Sequence, residues 1–171
     1  MTRARVRPGF AAVRWISIAL AALPMLACLA EEMPEGAPAP PFTLANLAGE
    51  PVALSDFAGQ TVVVDFWATW CVPCKHQIPV LNQFHRKMTG RDVVVLGVAV
   101  DVGGRDVVAP FAEEQGIEYP VLLGSESLAR DYGVPGFPAL VVVDESGRLD
   151  SMHLGVIDPE DLAEAVEQAL R

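Results

Sequence analysis

Trp70-Cys71-Val72-Pro73-Cys74 decides the reading of this chain. Two cysteines separated by two residues, where a strand pattern gives way to a helical one, can pass between dithiol and disulfide. Upstream, Thr61-Val62-Val63-Val64-Asp65-Phe66-Trp67 is β-branched and aromatic almost throughout and reads as a buried central strand. Downstream, Ile78, Leu81, Phe84 and Met88 recur at helical spacing, with Pro79 inside the pattern. The cysteines therefore cap a helix, and Cys71 is expected at its N-terminus, where unpaired backbone N–H groups and the positive dipole end stabilise an anion. A thiol at such a site falls from a pKa of about 8.5 into the range of about 3.5 to 7.5. Cys71 is thus expected to be a thiolate near neutral pH. Cys74, one turn further in, is placed to attack a mixed disulfide on Cys71 and release the reduced partner.

The same spacing also makes half of a tetrahedral zinc site. The other half is missing: Cys28 lies in an N-terminal apolar run, and His76, His85 and His153 fall in no ligand-like pairing. No metal and no cofactor beyond the redox-active pair is expected.

Three stretches carry a resemblance. They are Pro41-Phe42-Thr43-Leu44 with Leu54-Ser55-Asp56-Phe57-Ala58-Gly59, then Val64 through Lys75 around the cysteines, then Val134-Pro135-Gly136-Phe137-Pro138-Ala139. Together they span roughly residues 37 to 171, and the chain resembles the TlpA/ResA-like branch of thioredoxin-fold thiol:disulfide oxidoreductases. The resemblance implies an α/β thioredoxin fold with an N-terminal β-hairpin extension and a helix-strand insertion. It also implies that Pro138 is cis and faces the cysteine pair, leaving the Phe137 backbone to bond a client strand. Trp70 and Pro73, on either side of Cys71, are further candidate client contacts. Cis X-Pro bonds are uncommon enough to be purposeful.

Two departures matter. Many relatives carry Asn at the position of Asp65 and Glu at that of Gln77, whereas Asp65 matches the buried aspartate of thioredoxin, six residues before the first cysteine. The family glutamate's proton-handling role therefore cannot fall to Gln77, and Asp65 is expected to take it. Ala139 stands where many relatives have Thr, so that side chain's contacts do not carry over.

The ends of the 171-residue chain read differently from its middle. Arg3, Arg5, Arg7 and Arg14 precede an apolar run from Trp15 to Ala30, with no acidic residue before Glu31. Residues 1–30 are an export signal, a lipoprotein signal or a membrane anchor. Met25-Leu26-Ala27-Cys28 resembles a lipobox, which makes Cys28 a candidate lipidation site. Each route delivers the domain outside the cytoplasm, to the periplasmic side, where cysteines tend to be oxidised. Residues 31–41, rich in Glu, Pro, Ala and Gly, suit an extended tether, and 42–171 form the domain. Removing residues 1–30 takes four arginines and no acid, so the net charge moves from −10 to −14. A nucleic-acid partner is not expected, and membrane attachment should come through the N-terminus alone. The domain itself is expected to be a monomer.

Along the domain, Phe42–Leu44 and Val52–Leu54 flank Gly49 as a hairpin, and Asp92–Val100 is a second apolar strand. Arg105–Gln115 reads as a helix ended by Gly116, and Tyr119–Leu123 as a short strand. These alternate as βαβ units, which implies parallel pairing, and the stretch from Arg105 to Leu123 is the insertion. Ala139–Val143 and Arg148–Leu154 form a hairpin. The last helix starts with Asp158 as N-cap and Pro159 at its first position, with Leu162, Val166 and Leu170 as its buried stripe. His76 reads as a solvated helix residue, and Trp67 and Trp70 are each at least as well explained by packing as by client contact.

The leading function is reduction of disulfides in exported proteins, with a membrane dithiol donor to regenerate the pair. The resemblance suggests cytochrome c haem-attachment cysteines or a copper-site maturation protein as clients. The alternative is a copper(I) maturation chaperone using Cys71 and Cys74, since soft thiolates select copper(I). A peroxidase of the same superfold usually has Thr three residues before its reactive cysteine, and Ala68 stands there, with Thr69 out of register.

Overall fold

The structure is a computed structural model and describes residues 36–171. The signal or anchor segment 1–30 and Cys28 lie outside the described residues. Among the described residues no helix is long and apolar enough to cross a membrane.

Among the described residues seven strands form one sheet in the order β2-β1-β5-β4-β3-β6-β7. At its centre, β3 (Thr61–Trp67) is buried at every position. It pairs in parallel with β4 (Val93–Ala99) and antiparallel with β6 (Ala139–Val143). β6 turns back into β7 (Leu149–Leu154). On the other side β5 (Val121–Leu123) adds in parallel to β4, and the β1–β2 hairpin (Thr43–Asn46 and Pro51–Ala53) closes the edge by pairing with β5. This is the expected thioredoxin-like sheet, widened by the hairpin and by the inserted strand.

Alternation along β3 sends its side chains to two cores. Val62, Val64 and Phe66 join Val108, Ala112 and Tyr132, which come from α2 (Arg105–Gln115) and the end of α3 (Glu126–Asp131). Val63 joins Leu81 and Phe84 of α1 (Val72–Met88) and Leu162 and Val166 of α4 (Pro159–Ala169). Asp65 has the parity of Val63 and so lies on the α1–α4 face.

Four expectations need correction. Residues 31–41 were expected to be a mobile tether, but from Gly36 onward the chain is docked: Pro38 bridges Arg148, the Ala39 N–H donates to the Gly147 carbonyl at 2.9 Å, and Tyr132 donates to the Pro40 carbonyl at 2.7 Å. The prolines there have no N–H to satisfy, and Ala39 offers a small apolar side chain to bury. Leu170 is half exposed, because the last helix ends at Ala169 before completing the stripe. Asp158 occupies the N-cap position of α4, yet its side chain makes no capping bond. Leu54 leaves the hairpin for a short 3-10 helix over Leu54–Phe57, where Asp56 instead accepts the Ala53 N–H at 2.8 Å.

Candidate active site

Strand β3 delivers the chain to the cysteines through a four-residue turn whose shape is fixed by one carboxylate. Asp101, just past β4, accepts the Thr69 hydroxyl at 2.6 Å and the Thr69 N–H at 3.1 Å. Cys71 donates its N–H to the Ala68 carbonyl at 3.1 Å, which closes the turn. The Thr69 hydroxyl is thereby committed to Asp101, and Ala68 is fully buried. Neither residue offers the hydroxyl that a peroxidase site of this superfold would use.

Cys71 is the N-cap of α1, with Pro73 in the first turn. Its sulfur accepts the Cys74 N–H at 3.2 Å, one of the donors a helix N-terminus leaves without an intrahelical partner. The two cysteines form a disulfide with Cα atoms 5.3 Å apart. Both are buried, but the ring around them is open: Trp70 and Val72 are 62% and 65% exposed. The anion-stabilising environment at this position therefore acts on Cys71, whereas Cys74 lies inside the first turn. No acidic residue occupies the first turn of α1 to offset that field.

The loop before β6 comes up against this ring. The Phe137–Pro138 peptide is cis, and Pro138 is buried with its carbonyl accepting the Gly155 N–H at 2.9 Å. Phe137 meets Trp70 edge-on, with ring centroids 5.9 Å apart. Beside that contact lies an open groove of about 440 Å³, walled by Trp70, Val134, Pro135 and Phe137 and bordered by Arg130 and Glu126 of α3. Trp67, by contrast, is buried and stacks on Phe111 of α2 at 5.3 Å, so its role is packing. His76 is exposed, as expected.

Beneath the motif, Asp65 is only 2% exposed. Burial pushes its carboxyl up from 3.8 to about 7, and a hydrogen bond from Tyr119 pulls part of the way back. The Tyr119 hydroxyl donates to Oδ2 at 3.3 Å, while Oδ1 has no partner among the described residues. Gln77 is equally buried, and its Oε1 accepts the Ile157 N–H at 2.8 Å, tying α1 to the segment before α4. In this chain the residue at the family glutamate's position is thus a structural fastener.

Among the residues singled out in the sequence, Cys71, Trp70, Pro73 and Cys74 lie at the start of α1, Asp65 lies on β3, and Phe137–Pro138 lie in the loop before β6, where Phe137 meets Trp70. Sequence reasoning missed Asp101 and Tyr119. The one available signal for Asp101 was its place as the first charge after the apolar run of β4, where a strand end meets a turn.

A thioredoxin-like sheet with a disulfide capping the helix after its central strand defines a thiol:disulfide oxidoreductase. The comparisons agree: residues 36–152 match the model of the AhpC/TSA family. Thiol-disulfide oxidoreductase ResA of Geobacillus thermodenitrificans is 31% identical over 134 residues, 77% of this chain and 76% of that protein. ResA of Bacillus subtilis is 34% identical over 131 residues, 74% of this chain and 71% of that protein. A thiol:disulfide interchange protein of the thioredoxin family from Chlorobium tepidum superposes with a TM-score of 0.71 at 30% identity, covering 81% of this chain and 99% of that one. The chain belongs to the AhpC/TSA family, in its TlpA/ResA-like branch.

Proposed function

We propose that this thiol:disulfide oxidoreductase works outside the cytoplasm as a reductant of disulfides in exported proteins. The observation that carries the reading is the asymmetry of the pair, with Cys71 at the helix cap and Cys74 inside the first turn. The Cys71 thiolate attacks one sulfur of a client disulfide, forming a mixed disulfide while the second client sulfur leaves as a thiolate. Cys74 then gives its proton to Asp65 and attacks the Cys71 sulfur, and the client's first sulfur leaves as a thiolate. Two electrons have passed to the client, and Cys71–Cys74 is the oxidised product. A membrane donor of dithiol type restores it by the same exchange in reverse.

The Trp70–Phe137 contact and the groove beside it support client docking at the surface formed by Trp70, Pro73 and the Phe137–Pro138 backbone. Residues 1–30 export the domain and hold it at the membrane, through Cys28 if that residue is lipidated. The acidic domain, net −14 without them, favours clients with basic segments. The haem-attachment cysteines of apocytochrome c are the client class that the family resemblance suggests.

The test is stoichiometric. Reduced full-length protein mixed with a disulfide-closed Cys-x-x-Cys-His peptide should open one peptide disulfide for each Cys71–Cys74 disulfide it forms. Tight copper(I) binding by the reduced protein, with the peptide left oxidised, would instead establish the copper-chaperone reading.

A further inference from the structure

We propose that Tyr119 is a positioning residue for proton transfer, holding the Asp65 carboxyl by Oδ2 so that Oδ1 is the oxygen that exchanges a proton with Cys74. The proposal rests on Asp65 being the base in the reading above. Its grounds are geometric. Tyr119 and Asp65 are 54 residues apart, both are buried, and the phenol donates to Oδ2 while Oδ1 is left without a partner among the described residues.

The approach exists because of a glycine. Gly97 is the register partner of Asp65 across β3 and β4. A Cβ there would lie 2.7 Å from the Tyr119 ring and 3.0 Å from the Trp67 indole nitrogen, closer than real contacts allow at the ring. The Tyr119 ring thus fills the space over Gly97 that a side chain would take.

The segment that carries Tyr119 is clamped from two sides. Gly97 donates its N–H to the Pro120 carbonyl at 2.8 Å. Asn82 of α1, buried, donates to the Gly116 carbonyl at 2.7 Å and accepts the Glu118 N–H at 2.9 Å. The helix that carries the cysteines therefore fixes the loop that reaches the acid, and that loop belongs to the insertion between β4 and β5. At 3.3 Å the bond is longer than the usual hydroxyl-to-oxygen range of about 2.5–3.0 Å, and it should tighten when the carboxyl ionises.

Among the described residues no charged side chain sets the proton affinity of Asp65. β4 presents Gly97 and β6 presents Leu140 at its register positions, and Leu162 and Val166 of α4 are apolar. From α1, Gln77 is neutral, and Cys74 titrates once the disulfide is reduced. Tyr119 remains a hydroxyl donor, because burial and the neighbouring Asp65 hold its own pKa well above the ordinary value. A donor to the carboxylate favours the charged form, so losing it should raise the Asp65 pKa further.

The experiment follows the Asp65 carboxyl carbon by NMR across pH in the full-length protein and in Tyr119→Phe, which keeps the ring and removes the hydroxyl. A parallel measurement records the pH profile of mixed-disulfide resolution. The wild-type midpoint should fall at about 7, and that of Tyr119→Phe about one unit higher, with the rate profile displaced equally. An unshifted or lowered carboxyl midpoint, with a rate profile that still depends on Asp65, overturns the role of Tyr119 alone. A raised carboxyl midpoint with an unmoved rate profile overturns the assignment of Asp65 as the base.

Discussion

Cys74→Ser should accumulate a covalent mixed disulfide with its client, while Cys71→Ser should capture almost nothing. The difference follows from the helix cap. Only the Cys71 sulfur accepts the otherwise unpaired N–H of Cys74, so only its thiolate is stabilised by the backbone, and only Trp70 and its exposed neighbours give a client access. Lowering a thiol pKa by two units raises its thiolate fraction about a hundredfold at a pH below both values, an advantage only partly offset by reduced nucleophilicity. Both variants should therefore lose turnover by several orders of magnitude, but only Cys74→Ser should stop after the first exchange. Trapping measured by non-reducing electrophoresis decides the matter, and equal capture by the two variants would remove the distinction between attacking and resolving cysteine.

Asp65→Asn should slow resolution by on the order of 10²-fold and flatten its pH dependence, since the buried general base would be gone. It should also change stability in a specific window. The folded protein holds a proton on Asp65 up to about pH 7, whereas the unfolded chain releases it near 3.8. The contribution of Asp65 to stability is thus full below pH 3.8, is lost as pH rises through about 7, and is constant above it. Asp65→Asn escapes that loss. At pH 8 it should be more stable than wild type by about 2–4 kcal/mol, the upper figure being roughly three pKa units at about 1.36 kcal/mol each, and at pH 3 the gain should vanish. Denaturant titration at the two pH values checks this, and a gain independent of pH would mean that ionisation of Asp65 is not its source. Gln77→Ala should instead lower stability without altering the pH profile, because it removes only the bond to Ile157.

Most of the fold was legible because its signals are local. The β-branched run of β3 and the glycine that closes α2 match the observed Thr61–Trp67 and Arg105–Gln115. The α3 helix escaped notice because six residues are too few to display helical periodicity, although Ser125, whose side chain accepts the Leu128 N–H, is an N-cap signal. The site divides in the same way. The cysteines and the Phe137–Pro138 loop carry recognisable motifs, whereas Thr69–Asp101 and Asp65–Tyr119 are joined across 32 and 54 residues only by the folded arrangement of sheet, loops and α1. A lone tyrosine ahead of a short strand says nothing of the acid it will meet. The docking of residues 36–41 was hidden for a related reason, since its backbone bonds to the β6–β7 hairpin are independent of side-chain type.

The direction of electron flow is the centre of the functional account, and the reduction potential of the Cys71–Cys74 pair measures it. Equilibration of the full-length protein against a thiol–disulfide buffer of known potential should give a value near thioredoxin's, about −270 mV, as expected of a reductant. A value near the oxidising end, about −120 mV, would make the protein a donor of disulfides and contradict the role assigned to it.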